Sequence, residues 1–164
     1  MKDLLVQLAG HNAWANGRLM KVMAALPDEQ LDRDMGSSFP TLRKTVLHVW
    51  NAESVWYQRL LLASPVVPPA AGFSGGMEEL AGLFVRQSEA LKAFVAGASD
   101  AKLAHTVEFN SPVKGVCKSP VTRILMQAFT HSAFHRGQLV TMLRQQGVPR
   151  IPSTDFIEYT GWKK

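Results

Sequence analysis

Apolar residues return at helical spacing in four long stretches of the chain. From Lys2 to about Ala25, Leu4, Leu5, Leu8, Trp14, Ala15, Leu19, Val22 and Met23 fall at near-helical spacing, and Leu26-Pro27-Asp28 ends the run. A second stretch opens after Phe39-Pro40 with Thr41 as N-cap. It carries Leu42, Thr45, Val46, Val49, Ala52, Val55, Trp56, Leu60 and Leu61 and stops by Ser64-Pro65. A third covers about Met77 to Ala96, with Leu80, Leu83, Phe84, Leu91, Phe94 and Val95 on one face and Gly97 as its stop. The fourth starts near Ser119-Pro120, a capping residue followed by proline at the first helical position, and ends at Gln146-Gly147 before Pro149.

Two connections have their own character. Pro65 to Gly76 is rich in Pro, Ala and Gly and reads as a loop. After the third helix the period changes from 3.6 to 2: Ala104 to Phe109 alternates, Asn110-Ser111-Pro112 turns, and Val113 to Lys118 returns. The tail, Ile151 to Lys164, has no long period, and Ser153-Thr154-Asp155 opens a short final turn. Four amphipathic helices with one long and one hairpin connection predict an all-α four-helix bundle, with a short β-hairpin between the third and fourth helices.

A chain of 164 residues suits one domain, 1–164, and 46% apolar against 19% charged residues is the balance of a chain with a core. No apolar run reaches the roughly 18 residues of a membrane span, and Met1-Lys2-Asp3-Leu4 lacks the apolar core of a signal peptide. The expectation is a cytoplasmic protein without a membrane partner. Cys117, the single cysteine, excludes an internal disulfide and a cysteine-based zinc module, and reads as a small apolar strand residue. The net charge of +5 is concentrated in residues 110–164, which hold eight basic and two acidic residues. These basic residues are widely spaced and belong to no nucleic-acid-reading motif, so a solvated face is expected, with no nucleic-acid partner and a mild attraction for small anions.

The fourth helix carries the chemistry, in His131-Ser-Ala-Phe-His135-Arg136-Gly137-Gln138. Histidines four apart on a helix lie one turn above each other and point the same way, so both imidazoles can hold one metal ion. His48, in the second helix among Leu47, Val49 and Trp50, supplies a third if the two helices pack side by side. Phe129, Phe134, Leu139 and Met142 mark the fourth helix as largely buried, where an unpartnered imidazole is costly. Three imidazoles suit zinc, nickel, copper or iron, and leave open positions for water or substrate. Ser132 follows His131, so the glutamate of the HExxH protease motif is absent.

Around this triad, Glu53 is expected to pair with Arg136 across the helix interface. Gln138, one turn beyond His135, either hydrogen-bonds a ligand imidazole or metal-bound water, or packs the helix. Gly137 is expected to allow close helix approach. Asn12 and Asn16 either line the pocket mouth or satisfy buried backbone groups. Trp14, Trp50 and Trp56 read as core, and His11 and His105 as ordinary polar residues outside the metal set.

Three motifs together resemble the DinB/YfiT-like superfamily of metal-binding bundles over nearly the full chain. His11-Asn12-Ala13-Trp14-Ala15-Asn16 is similar to its first-helix pattern, with His11 where an aromatic residue is common. Leu47-His48-Val49 followed by Glu53 and Trp56 resembles its second-helix motif, and His131 to Gln138 matches its HxxxHRGQ motif closely. The resemblance implies an up-down-down-up bundle, often a homodimer, with His48, His131 and His135 as ligands of a divalent cation, commonly zinc or nickel. It also implies a low-molecular-weight thiol, held as thiolate for S-transfer or isomerisation of a small-molecule substrate. The expected function is therefore metal-assisted attack of a thiol or water on a small electrophile. The alternative is a non-catalytic metal- or small-molecule-binding stress-response protein.

Overall fold

The computed structural model describes residues 1–111 and 113–161. Pro112 of the expected turn, and Trp162, Lys163 and Lys164 of the tail, lie outside the described residues. The four expected long helices form: α1 (Lys2–Ala24), α3 (Leu42–Leu60), α4 (Met77–Gly97) and α6 (Val121–Gln145). Short helices α2 (Asp28–Leu31) and α5 (Asp100–Ala104), and a 3₁₀ turn at Pro69–Gly72, stand in connections that the apolar spacing does not mark. The tail turn is α7 (Phe156–Thr160).

Local chemistry explains the boundaries. Thr41 caps α3, its hydroxyl accepting from the Lys44 N–H at 3.1 Å. Beyond α3, Leu62 takes a left-handed φ of 58° and its N–H closes on the Arg59 carbonyl, a C-terminal stop that glycine would take more easily. The start of α6 differs from expectation. Ser119 pairs with Val107 in the hairpin, and Pro120 is itself the N-cap, so no side chain caps this helix.

Strands β1 (Thr106–Ser111) and β2 (Gly115–Pro120) pair antiparallel, with Phe109 opposite Cys117 and Glu108 opposite Lys118. The latter pair forms a 3.0 Å salt bridge. Gly115 turns the chain with φ +68°, which a side chain would strain. Phe109 packs edge-on to Trp56, and the Arg59 guanidinium lies against both rings, fastening the hairpin to α3.

The core falls into two clusters, and together they give the helix directions. Leu19 and Met23 at the end of α1 meet Leu42, Val46 and Trp50 at the start of α3. Met77, Leu80 and Phe84 at the start of α4, and Leu139 and Leu143 at the end of α6, complete that end. The other end gathers Leu5 and Ala9, Leu60, Leu91 and Val95, and Val121 to Phe129. Helices α1 and α6 therefore run one way and α3 and α4 the other. This is the up-down-down-up bundle. Because α3 and α4 are parallel, residues 61–76 must travel the bundle's length, about 30 Å for a helix of 21 residues. That is why this connection is long and loop-like.

Around the bundle, α1 lies against α4 and α6, and α3 lies against α4 and α6. The α3–α6 contact is the one that brings the histidine helices together.

Candidate metal centre

His48 and the His131/His135 pair meet across the α3–α6 seam. The Nε2 atoms of His48 and His135 each lie 3.1 Å from Nε2 of His131. One ligand atom from each residue falls within 4.8 Å of the others. Imidazoles about 2.0–2.1 Å from a tetrahedral ion sit about 3.3 Å from one another, so the two 3.1 Å spacings at His131 already match such an ion. The three histidines could hold a divalent metal ion.

Burial leaves the site open on one side. His135 is only 5% exposed, while His48 and His131 are half-buried. Phe39 stacks on His48 with centroids 3.9 Å apart and meets His135 edge-on at 5.7 Å. Phe134 lies edge-on to His135 at 5.1 Å but is 64% exposed, so it flanks the opening and is not the buried residue expected from the sequence.

Burial favours the neutral form of His131 and His48. Burial, then the neighbouring His135 and His48, pushes His131 down to about 4. Burial, then His135, also lowers His48. Neutral rings are the form that binds cations. Nδ1 of His135 sits 2.6 Å from Oε1 of Gln138. An amide oxygen can only accept, so Nδ1 carries the proton and Nε2 presents a lone pair to the centre. Gln138 thus touches a triad imidazole, the first of its two expected roles.

Glu53 and Arg136 do not form the direct pair expected. A carboxylate and a guanidinium, both buried, are joined through two asparagines. Arg136 Nη1 donates to Asn12 Oδ1 at 2.8 Å, and Asn12 Nδ2 donates to Glu53 Oε2 at 2.7 Å. In parallel, Arg136 donates to Asn16 Oδ1, Asn16 to Ser88, and Ser88 to Glu53 Oε1. Ser132 accepts from Arg136 and donates to Asn16. Every donor in this chain points from Arg136 toward Glu53. Burial still raises Glu53 to about 7 and lowers Arg136 to about 10, against the mutual pull of the two charges. Asn12 and Asn16 are therefore deep links among α1, α3, α4 and α6, and they neither line a pocket mouth nor serve backbone groups.

Other expectations resolve individually. A Cβ on Gly137 would meet nothing within 4 Å, so this glycine permits no close helix approach. His11 donates through Nε2 to the Thr154 carbonyl at 2.7 Å and packs against Phe156 and Tyr159, outside the triad. His105 immediately precedes β1, and its carbonyl accepts from the Val121 N–H. Trp50 is core, and Trp56 packs on the hairpin. Trp14 instead lines a surface cavity.

Similar proteins bear on the family and the fold. The sequence model of the DinB family matches residues 1–164. The chain belongs to the DinB family. It is 27% identical over 165 residues to Protein DinB of Bacillus subtilis (strain 168), covering 95% of this chain and 93% of that one. A crystal structure of a DinB-like protein from Bacillus cereus ATCC 10987 superposes with a TM-score of 0.68 at 20% identity, over 87% of this chain and 90% of the other. That likeness concerns the fold. In this DinB-family chain, no described helix is long and apolar enough to cross a membrane.

Proposed function

We propose that His48, His131 and His135 are the protein ligands of a divalent ion, zinc or nickel, at which a low-molecular-weight thiol or water is activated to attack a small electrophile. The observation that carries this reading is the convergence of three imidazole Nε2 atoms in a site that buries His135 and leaves His48 and His131 half-buried. Three protein ligands leave room for an exogenous one. When bound, the ion supplies Lewis acidity, lowering the pKa of a thiol or water toward neutrality.

The chain's own residues have distinct parts in this. The triad carries no charge of its own and so leaves the ion's charge undiminished. Gln138 holds the His135 tautomer. Phe39 and Phe134 set apolar rings beside the triad, against which an apolar electrophile can lie. Ser132, at the place of a protease's glutamate, is committed to the buried Arg136 network and is no base. The thiol proton accordingly passes to solvent as the carbon–sulfur bond forms and the electrophile's leaving group departs with its electron pair.

Zinc-loaded protein, cysteine as probe thiol and monobromobimane as probe electrophile test the reading. Thioether formation should run at least about tenfold above the metal-free protein at equal thiol, and be lost in His135→Ala. Metal bound without acceleration would favour the alternative, a non-catalytic metal-binding protein, for which the lack of a committed side-chain base beside the triad speaks.

A further inference from the structure

The side of the bundle away from the triad holds an open groove of about 740 Å³ between α1, α4 and the tail at residues 150–152. Its floor and walls are apolar: Gly17, Val22, Val85, Ile151 and the Trp14 ring. Three solvent-exposed cations also line it, Arg18, Lys21 and Arg150. The one acidic lining residue, Glu89, is engaged by Lys92 at 2.9 Å. Among the described residues, no carboxylate lies in salt-bridge range of Arg18, Lys21 or Arg150. Arg18 lies over the Trp14 ring, 4.9 Å from its centroid, which holds the guanidinium at the cavity wall.

We propose that this cavity binds a small organic anion with an apolar or aromatic body, the anionic group at Arg18, Lys21 and Arg150 and the body against Trp14 and Ile151. The volume is that of a small-molecule site, and apolar walls with a few convergent charges are how such sites fix orientation. A lone solvated cation needs no ligand. Three around one concave apolar surface, with the one acid among the described lining residues turned to another partner, create a positive field that a bound anion neutralises. Gly17 contributes by absence. It sits within α1, where alanine would be the better helix former, and a Cβ there would meet nothing within 4 Å. A larger residue would extend into the cavity.

Two dyes of the same body test this: anilinonaphthalene sulfonate, which is anionic, and N-phenylnaphthylamine, which is neutral. Wild type should bind the sulfonate saturably, one per chain, by fluorescence titration. Arg18→Gln with Arg150→Gln should weaken the sulfonate by about tenfold or more and leave the neutral dye within about twofold. Gly17→Leu should abolish binding of both, with a melting temperature at or above wild type because leucine favours the helix. Absence of saturable binding by wild type would overturn the proposal. So would a Gly17→Leu protein that binds both dyes as wild type does, or a double variant that loses both dyes equally.

Discussion

The Nδ1–H of His135 donates to the amide oxygen of Gln138 at 2.6 Å, one helical turn away. That bond selects the tautomer in which Nε2 faces His131 as a lone pair. Without it, the ring is free to turn or to put its proton toward the centre. Removing such a partner of a ligating imidazole costs about 10- to 100-fold in metal affinity. Gln138→Leu should therefore weaken zinc binding by that factor in a chelator competition, with little change in the melting temperature of the metal-free protein. Unchanged affinity would mean that Gln138 only packs the helix.

Protonation should unfold the metal-free triad from the acid side. His131 titrates at about 4 when folded and near its ordinary 6.5 when unfolded. Between those values the folded state binds fewer protons, so its contribution is fully present above 6.5 and is lost as pH falls toward 4. In the presence of a chelator, the wild-type melting temperature should fall through that window more steeply than that of His131→Asn. Parallel curves would contradict the assigned burial of this imidazole.

Glu53 runs in the opposite direction. Its folded value of about 7 lies above its ordinary 4.5, so the folded state binds more protons between the two and loses stability as pH rises through that range. Glu53→Gln should remove this decline. Asn12→Leu should be the harsher change, because it takes one hydrogen-bond partner from the buried guanidinium and one from the buried carboxylate, and leaves only the Asn16–Ser88 path between them. A loss of about 2 kcal/mol in denaturant unfolding is expected. A loss below about 1 kcal/mol would mean that the Asn16–Ser88 path alone satisfies both charges.

The long helices and the triad were legible because each rests on a local spacing. Helical apolar recurrence marks α1, α3, α4 and α6, and an i, i+4 pair fixes His131 and His135 on one face whatever the rest of the chain does. The relation of Glu53 to Arg136 was only half legible. Burial and proximity follow from sharing the α3–α6 seam. That α1 inserts Asn12 and Asn16 between them depends on how a third helix rotates, which no local pattern states. Phe134 misled because α6 is buried along one stripe only, and His135 beside it takes the inward position. Trp14 misled for the same reason: it follows the apolar period but sits at the stripe's edge, half-exposed over a cavity. The short helices α2 and α5 have four and five residues, too few for a period to register.

Phe134 at the opening yields a kinetic prediction. Phe134→Ala removes an exposed ring from one wall of the site, so stability should stay within about 0.5 kcal/mol and zinc affinity should be unchanged. The KM for an apolar electrophile should rise about fivefold as that wall is lost, with kcat nearly constant. An unaltered KM would place the electrophile elsewhere than against this ring.

Elemental analysis of protein purified without a histidine tag, wild type beside His135→Ala, bears most directly on the triad. Wild type should carry about one zinc or nickel ion per chain, and the variant should carry almost none while keeping its helical content. Wild type that holds no metal, and gains no thermal stability from added zinc or nickel, would contradict the account and leave the three histidines as packing residues.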